Sequence, residues 1–165
     1  MLVIVWRDPI DTFEALPCRI TSPAYNNPNI RQGRTDLALC QWVAKQVLPA
    51  GVPYTIMDTT ALPAFRDFRD AWSYDSITGR VSTDMAKARE IKRAQIRGVC
   101  DAERAKLNNP YTKAVASGDL VEQRRVATRQ QELLDTPQTL PLATLTTPEE
   151  LRAFWPLSLP LEAQP

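Results

Sequence analysis

The stretch STDMAKAREIKRAQIRGVCDAERAKLNN, Ser82 to Asn109, is the longest part of this chain that reads as one kind of structure. Thr83 can cap a helix and Asp84 suits its positive end. Met85, Ala88, Ile91, Gln95, Val99 and Ala102 then fall on one helical stripe, which Ile96, Cys100 and Leu107 widen. The spacing predicts a helix from Thr83 or Asp84 to about Asn108, closed by Asn-Asn-Pro. Pro110 opens a second helix to about Leu134, with Ser117-Gly118-Asp119 as a kink or restart and Asp119 capping the second half. Two helices joined by so short a turn make an antiparallel hairpin. Its apolar stripe is thin and rich in alanine, and helices gain most of their stability from packing. The hairpin therefore needs a partner, either the N-terminal half or a neighbouring subunit, and Met85, Ile91 and Val99 are its interface candidates.

The charges decide against a phosphate-tracking helix. Lys87, Arg89, Lys92, Arg93, Arg97, Arg104 and Lys106 stand among Asp84, Glu90, Asp101 and Glu103. Arg97 with Asp101, Glu103 with Lys106 and Lys87 with Glu90 are at pairing distance along a helix. A helix reading nucleic acid would keep most of its bases unpaired on one face. The bases, Arg89 among them, are expected on a solvated face. Over the whole chain 20 Lys and Arg meet 19 Asp and Glu, and a net charge of +1 gives no basic footprint.

Upstream, residues 1–82 read as a small α+β module with a proline-rich arm. LVIVW, Leu2 to Trp6, is apolar on both sides and predicts a buried strand. The next segment, with Pro9, Pro17, Pro23 and Pro28, is expected to be mostly loop with a short strand near Cys18–Ile20. So long a loop should pack on something, another chain being one candidate. Thr35 or Asp36 caps a helix whose face is Leu37, Cys40, Val43 with Ala44, and Val47, and Pro49 closes it. Strands follow at about Tyr54–Asp58, Ala71–Tyr74 and Arg80–Ser82, the last two joined by a turn in which Gly79 supplies φ > 0. Trp6, Trp42, Tyr54, Phe65, Phe68, Trp72 and Tyr74 are read as core or sheet-face aromatics.

Downstream of the hairpin, residues 83–135, comes a third segment, 136–165. TPQTLPLATLT is a proline-rich connector. TPEELRAFW is a short helix with Thr147 as cap, Pro148 first and Glu149 and Glu150 in the first turn. Leu151, Phe154 and Trp155 form its sticky face, and the apolar tail after it is expected to be disordered or extended on a partner. The helix is too short to stand alone in water. It should therefore dock through Trp155 on the α+β half or on an adjacent subunit.

The chain has no histidine, and Cys18, Cys40 and Cys100 are odd in number and far apart. That leaves no Ser-His or Cys-His combination, no zinc-ligand spacing and no glycine-rich phosphate loop. The expectation is no catalytic residue, no cofactor, no metal, and three reduced thiols made in a cytoplasm. The apolar start has no basic flank, and no apolar run reaches the roughly 18 residues that span a bilayer. Neither a signal peptide nor a membrane contact is expected.

GVPYTIMDTTALP, FRDAWSYD, VSTDMAKAREIKRAQIR, YTKAVASGDLVEQRRVATRQQELLD and TTPEELRAFWP stand here in that order. Together they resemble a group of small proteins encoded by tailed bacteriophages and prophages among virion-structure genes. The resemblance covers roughly Val52 to Pro156, about two thirds of the chain. Where the group usually carries PKL after its first long helix, ERAKLNNP stands here, and the first fifty or so residues are particular to this chain. The resemblance implies a virion protein of the tail, baseplate or fibre-attachment region, made in the bacterial cytoplasm. Its partners would be other phage structural proteins and copies of itself. The alternative it implies is an assembly chaperone for the tail or tail fibre, absent from the finished particle. It implies no catalytic residue.

Overall fold

A computed structural model describes residues 1–7 and 18–161. Pro9, Pro17 and the end of the tail, 162–165, lie outside the described residues. The fold is α+β, and the chain divides into two compact units, Met1–Asp84 and Met85–Pro165.

In the first unit β1 (Leu2–Trp6) is the central strand of an antiparallel sheet in the order β2-β1-β3, with β2 at Arg19–Thr21 and β3 at Tyr54–Asp58. Successive strand residues point to opposite faces, so β1 serves two cores. Ile4 and Trp6 meet Leu39, Cys40, Val43 and Ala44 of α2 (Asp36–Val47). Val3 and Val5 meet Cys18, Trp72 and Tyr74. The second face is covered by the β4–β5 hairpin, Trp72–Asp75 paired with Arg80–Thr83. The continuous apolar run of β1 is thus explained by burial on both sides.

Local signals set most boundaries. Thr35 caps α2 by accepting from the Ala38 N–H at 3.3 Å. At the hairpin turn the Asp75 carboxylate accepts from Ile77 N–H and from the Thr78 hydroxyl, and Gly79 takes φ +68°. A Cβ at Gly79 would sit 2.9 Å from Thr55 Oγ1, so glycine is needed there for space as well as for its dihedral. Thr55 in turn holds the Tyr74 hydroxyl at 2.8 Å, tying the hairpin to β3.

Three details of this unit depart from the sequence reading. The loop after β2 contains a one-turn helix, α1 (Pro28–Arg31), capped by Asn27. Leu37 and Val47, expected on the buried face of α2, are exposed, and Leu39 is fully buried instead. Trp42 is exposed rather than core, lying under the Arg34 guanidinium at 4.9 Å, whereas Tyr54 is an exposed sheet residue on β3.

In the second unit α3 (Met85–Lys106), α4 (Asn108–Ser117) and α5 (Leu120–Thr139) form the hairpin. Its reversal is not at Asn-Asn-Pro. Leu107, between α3 and α4, keeps helical dihedrals (φ −80°, ψ −13°), and Tyr111 N–H donates to its carbonyl at 3.0 Å. Pro110 falls in the first turn of α4, where a missing N–H costs little. The chain turns back at Gly118, φ +71°, whose N–H and that of Asp119 satisfy the last carbonyls of α4. Asp119 then caps α5, accepting from Val121 and Glu122 N–H. Gln123 reaches the Ala114 carbonyl and Gln130 reaches Asn108, so α4 lies antiparallel against the first half of α5. Ile96 and Cys100 of α3 pack on Leu133 of its second half.

The buried stripe of α3 is Ala88, Lys92, Ile96 and Cys100, strict i, i+4 steps. Ala102 is exposed and Val99, Ile91 and Met85 are half-buried, so the stripe lies one residue round from the expected one. α5 runs through Pro137, beyond Leu134 and into the expected connector. Pro137 is itself buried, and the loss of one ladder N–H falls only in the last turn.

Candidate interaction surfaces

Capping residues place α6 (Pro148–Ala153). The Thr147 hydroxyl accepts from Glu150 N–H at 3.2 Å, and the Glu150 carboxylate accepts from Thr146 and Thr147 N–H at 2.8 and 3.1 Å. Those backbone hydrogen bonds hold the Glu150 carboxyl below its ordinary value. Leu151 is fully buried, α6 packs on α3, and Phe154, Trp155 and Leu159 join Ile96, Cys100 and Leu133. The segment docks on the hairpin of its own chain, the one receiver not expected from sequence. Val99, Leu151, Phe154 and Trp155, singled out as interface candidates, are therefore packing residues inside one unit. Met85 and Ile91 are half-buried.

Basic side chains hold this segment down. Arg89 donates from Nε and Nη2 to the Leu145 carbonyl at 3.2 and 2.8 Å. Lys92, only 3% exposed, donates to the Arg152 carbonyl at 3.3 Å and lies 5.4 Å from the Trp155 ring centre. Arg129 of α5 donates to the Ser158 carbonyl at 2.5 Å. Arg152 stands in the last turn of α6, where carbonyls lack helical partners and the helix dipole favours a cation. The expectation of solvated bases thus fails at Arg89 and Lys92. It fits better at the end of α3, where Glu103 pairs with Lys106 as expected. Asp101 pairs with Arg104 instead of Arg97, and Glu90 pairs with Arg93.

Among the described residues two further surfaces bear on function. The first is the tip of the hairpin. Val115 and Tyr111 on α4, and Leu120 and Val121 on α5, are exposed, Leu120 and Val121 to 64% and 81%. Three of these lie within three residues of Gly118. The second is a cleft of about 230 Å³ in the first unit, walled by Val3, Ile20, Leu62 and Trp72 together with Arg66 and Arg69. Trp72 is buried and its indole N–H has no acceptor. Leaving such a donor unanswered costs about 1–3 kcal/mol.

All three thiols are free and buried, and burial raises both the Cys18 and the Cys100 thiol above the ordinary value. Cys40 lies 3.1 Å from the Tyr25 hydroxyl, and burial followed by that contact holds the phenol above its ordinary value. Among the described residues no group of His, Cys, Asp and Glu could hold a metal ion, and no helix is long and apolar enough to cross a membrane.

No protein-family model, no curated protein and no solved structure matches the chain.

Proposed function

We propose that this chain is a bacteriophage virion structural protein of the tail, baseplate or fibre-attachment region, acting by packing against other phage proteins and copies of itself. The ordered set of motifs from Val52 to Pro156 supports the phage setting. The exposed apolar tip around Gly118 supports the mode of action, because Val115, Leu120 and Val121 present apolar surface together at one end of the hairpin. Apolar surface concentrated at one place favours protein association.

Quantitative mass spectrometry of purified particles of the encoding phage tests the reading. Near-stoichiometric presence is the expected result. Presence only on assembly intermediates assigns the chain to the chaperone class instead, and absence from both overturns the proposal. The variant Val121→Glu sharpens the mode of action. It should melt like the parent protein yet fail to enter particles, and normal incorporation would remove the tip from the account.

A further inference from the structure

Residues 65–70 read Phe-Arg-Asp-Phe-Arg-Asp, a three-residue unit repeated once. Arg66–Ala71 is a 3₁₀ segment, kinked at Phe68. In a 3₁₀ helix residues three apart lie over one another. The repeat therefore sorts its side chains into a phenylalanine row, an arginine row and an aspartate row. Phe68 and Ala71 are buried, as that sorting requires. Arg66 and Arg69 wall the same cleft, and Trp72 stands three residues further on in the same wall.

Among the described residues no Asp or Glu lines this cleft, and neither guanidinium has an ion pair. The Met1 ammonium is already paired with Asp58, whereas among the described residues the two guanidinium groups pair with no carboxylate, which favours an anion there. Guanidinium groups match carboxylates in planar, two-point hydrogen bonds. Ser22 and Thr59 also line it, but most of the remaining wall is apolar (Met1, Val3, Ile20, Leu62), surface that a bare hydrated phosphate would not use. About 230 Å³ is below the roughly 300 Å³ at which pockets for whole small molecules begin, so a group of single-residue size fits.

We infer that this cleft binds a carboxylate carried on a short apolar stem, with Arg66 and Arg69 on the charge and Val3, Ile20 and Leu62 on the stem. The ligand is either the C-terminal residue of a peptide chain or a free carboxylate of that size. The inference stands apart from the virion reading, since it is read on the isolated protein.

The test is a titration of the full ¹⁵N-labelled chain with N-acetyl-leucine, reading the Trp72 indole resonance and the amides of residues 66–72. N-acetyl-leucinamide and inorganic phosphate serve as controls. The free acid should move these signals in a saturable way and the amide should not. The double variant Arg66→Gln, Arg69→Gln should weaken binding at least tenfold. Both positions are exposed, and an unchanged melting temperature would show that the fold is intact. A peptide ending in Ala-Ala-Leu with a free carboxylate separates the sources. Tenfold tighter binding than N-acetyl-leucine assigns a chain terminus, and equal binding assigns a small carboxylate. Equal response to acid and amide, phosphate binding as tight as the acid, or undiminished binding by the double variant overturns the inference.

Discussion

The two units bury their interiors in different ways. The sheet unit depends on one strand with both faces covered: Ile4 and Trp6 on the α2 side, Val3 and Val5 on the hairpin side. Its core is built from residues far apart in sequence. The helical unit has a thinner interior in which one stripe position is a lysine and several walls come from the last twenty or so residues. A thin stripe forces the hairpin to recruit its own C-terminal segment. That segment is mostly non-helical, so its carbonyls need donors, and Arg89, Lys92 and Arg129 supply them. The contrast shows two answers to limited apolar surface: cover a strand twice, or close a helix pair with a strap.

The strap should matter most. Deleting residues 147–165 removes Leu151 and Leu159, both buried, along with Phe154 and Trp155. Truncating a single core leucine to alanine costs about 2–5 kcal/mol, so the deletion should unfold the helical unit under ordinary conditions. Hydrogen exchange checks this: α3 and α5 amides should lose protection. Retained protection would show that the hairpin stands without its strap.

Next in size is Ile4→Ala. Ile4 is fully buried at the centre of β1, and the expected cost is about 2–5 kcal/mol, seen as loss of protection along β1 to β3. A cost below about 1 kcal/mol would mean that the doubly covered strand does not dominate its unit.

Lys92 separates packing from charge. Replacing a buried charged group by an apolar one of similar shape is often neutral or stabilising. Lys92→Met keeps the stem and should leave the melting temperature within a few degrees of the parent. Lys92→Ala opens a cavity beneath Trp155 and should cost clearly more. Equal losses in both variants would assign the stabilisation to the ammonium and its bond to the Arg152 carbonyl.

These contrasts also explain what could be read from sequence. β1, β3 and α6 were legible to within a residue or two because local signals set them: an unbroken apolar run, a flanking turn, a Thr-Pro-Glu-Glu start. The reversal at Gly118 was misplaced because proline and asparagine at 108–110 suggest a stop, whereas a proline in a first turn is harmless. Lys92 and Arg89 were read as solvated because their partners are backbone carbonyls some 60 residues away, which no local pattern announces. The carboxylate cleft left one unused trace, the doubled Phe-Arg-Asp, whose period of three has meaning only once the segment is known to be 3₁₀. The tip was half legible: Ser117-Gly118-Asp119 reads as a kink or restart with Asp119 capping the second half, and Asp119 does cap α5, but the full reversal at Gly118 has no local signal of its own.

The smallest effect concerns the start of the strap helix. Thr147→Ala removes the cap acceptor for Glu150 N–H and should cost about 1 kcal/mol. Glu150 adds a pH signature. Its carboxyl is held below the ordinary value by the Thr146 and Thr147 N–H groups, so the folded chain binds the proton less readily than the unfolded one. The stability this contributes is present above the unfolded value, near pH 4.5, and is lost as pH falls through the depressed one. Glu150→Gln cannot titrate, so between pH 7 and pH 3 its melting temperature should fall less than that of the parent. The difference should be small, because the carboxylate is exposed and Asp58, Asp75 and Glu122 are also held low and share the acid limb. Parallel acid limbs for parent and variant would show that the Glu150 half of the capping box contributes nothing, leaving the cap to Thr147 alone.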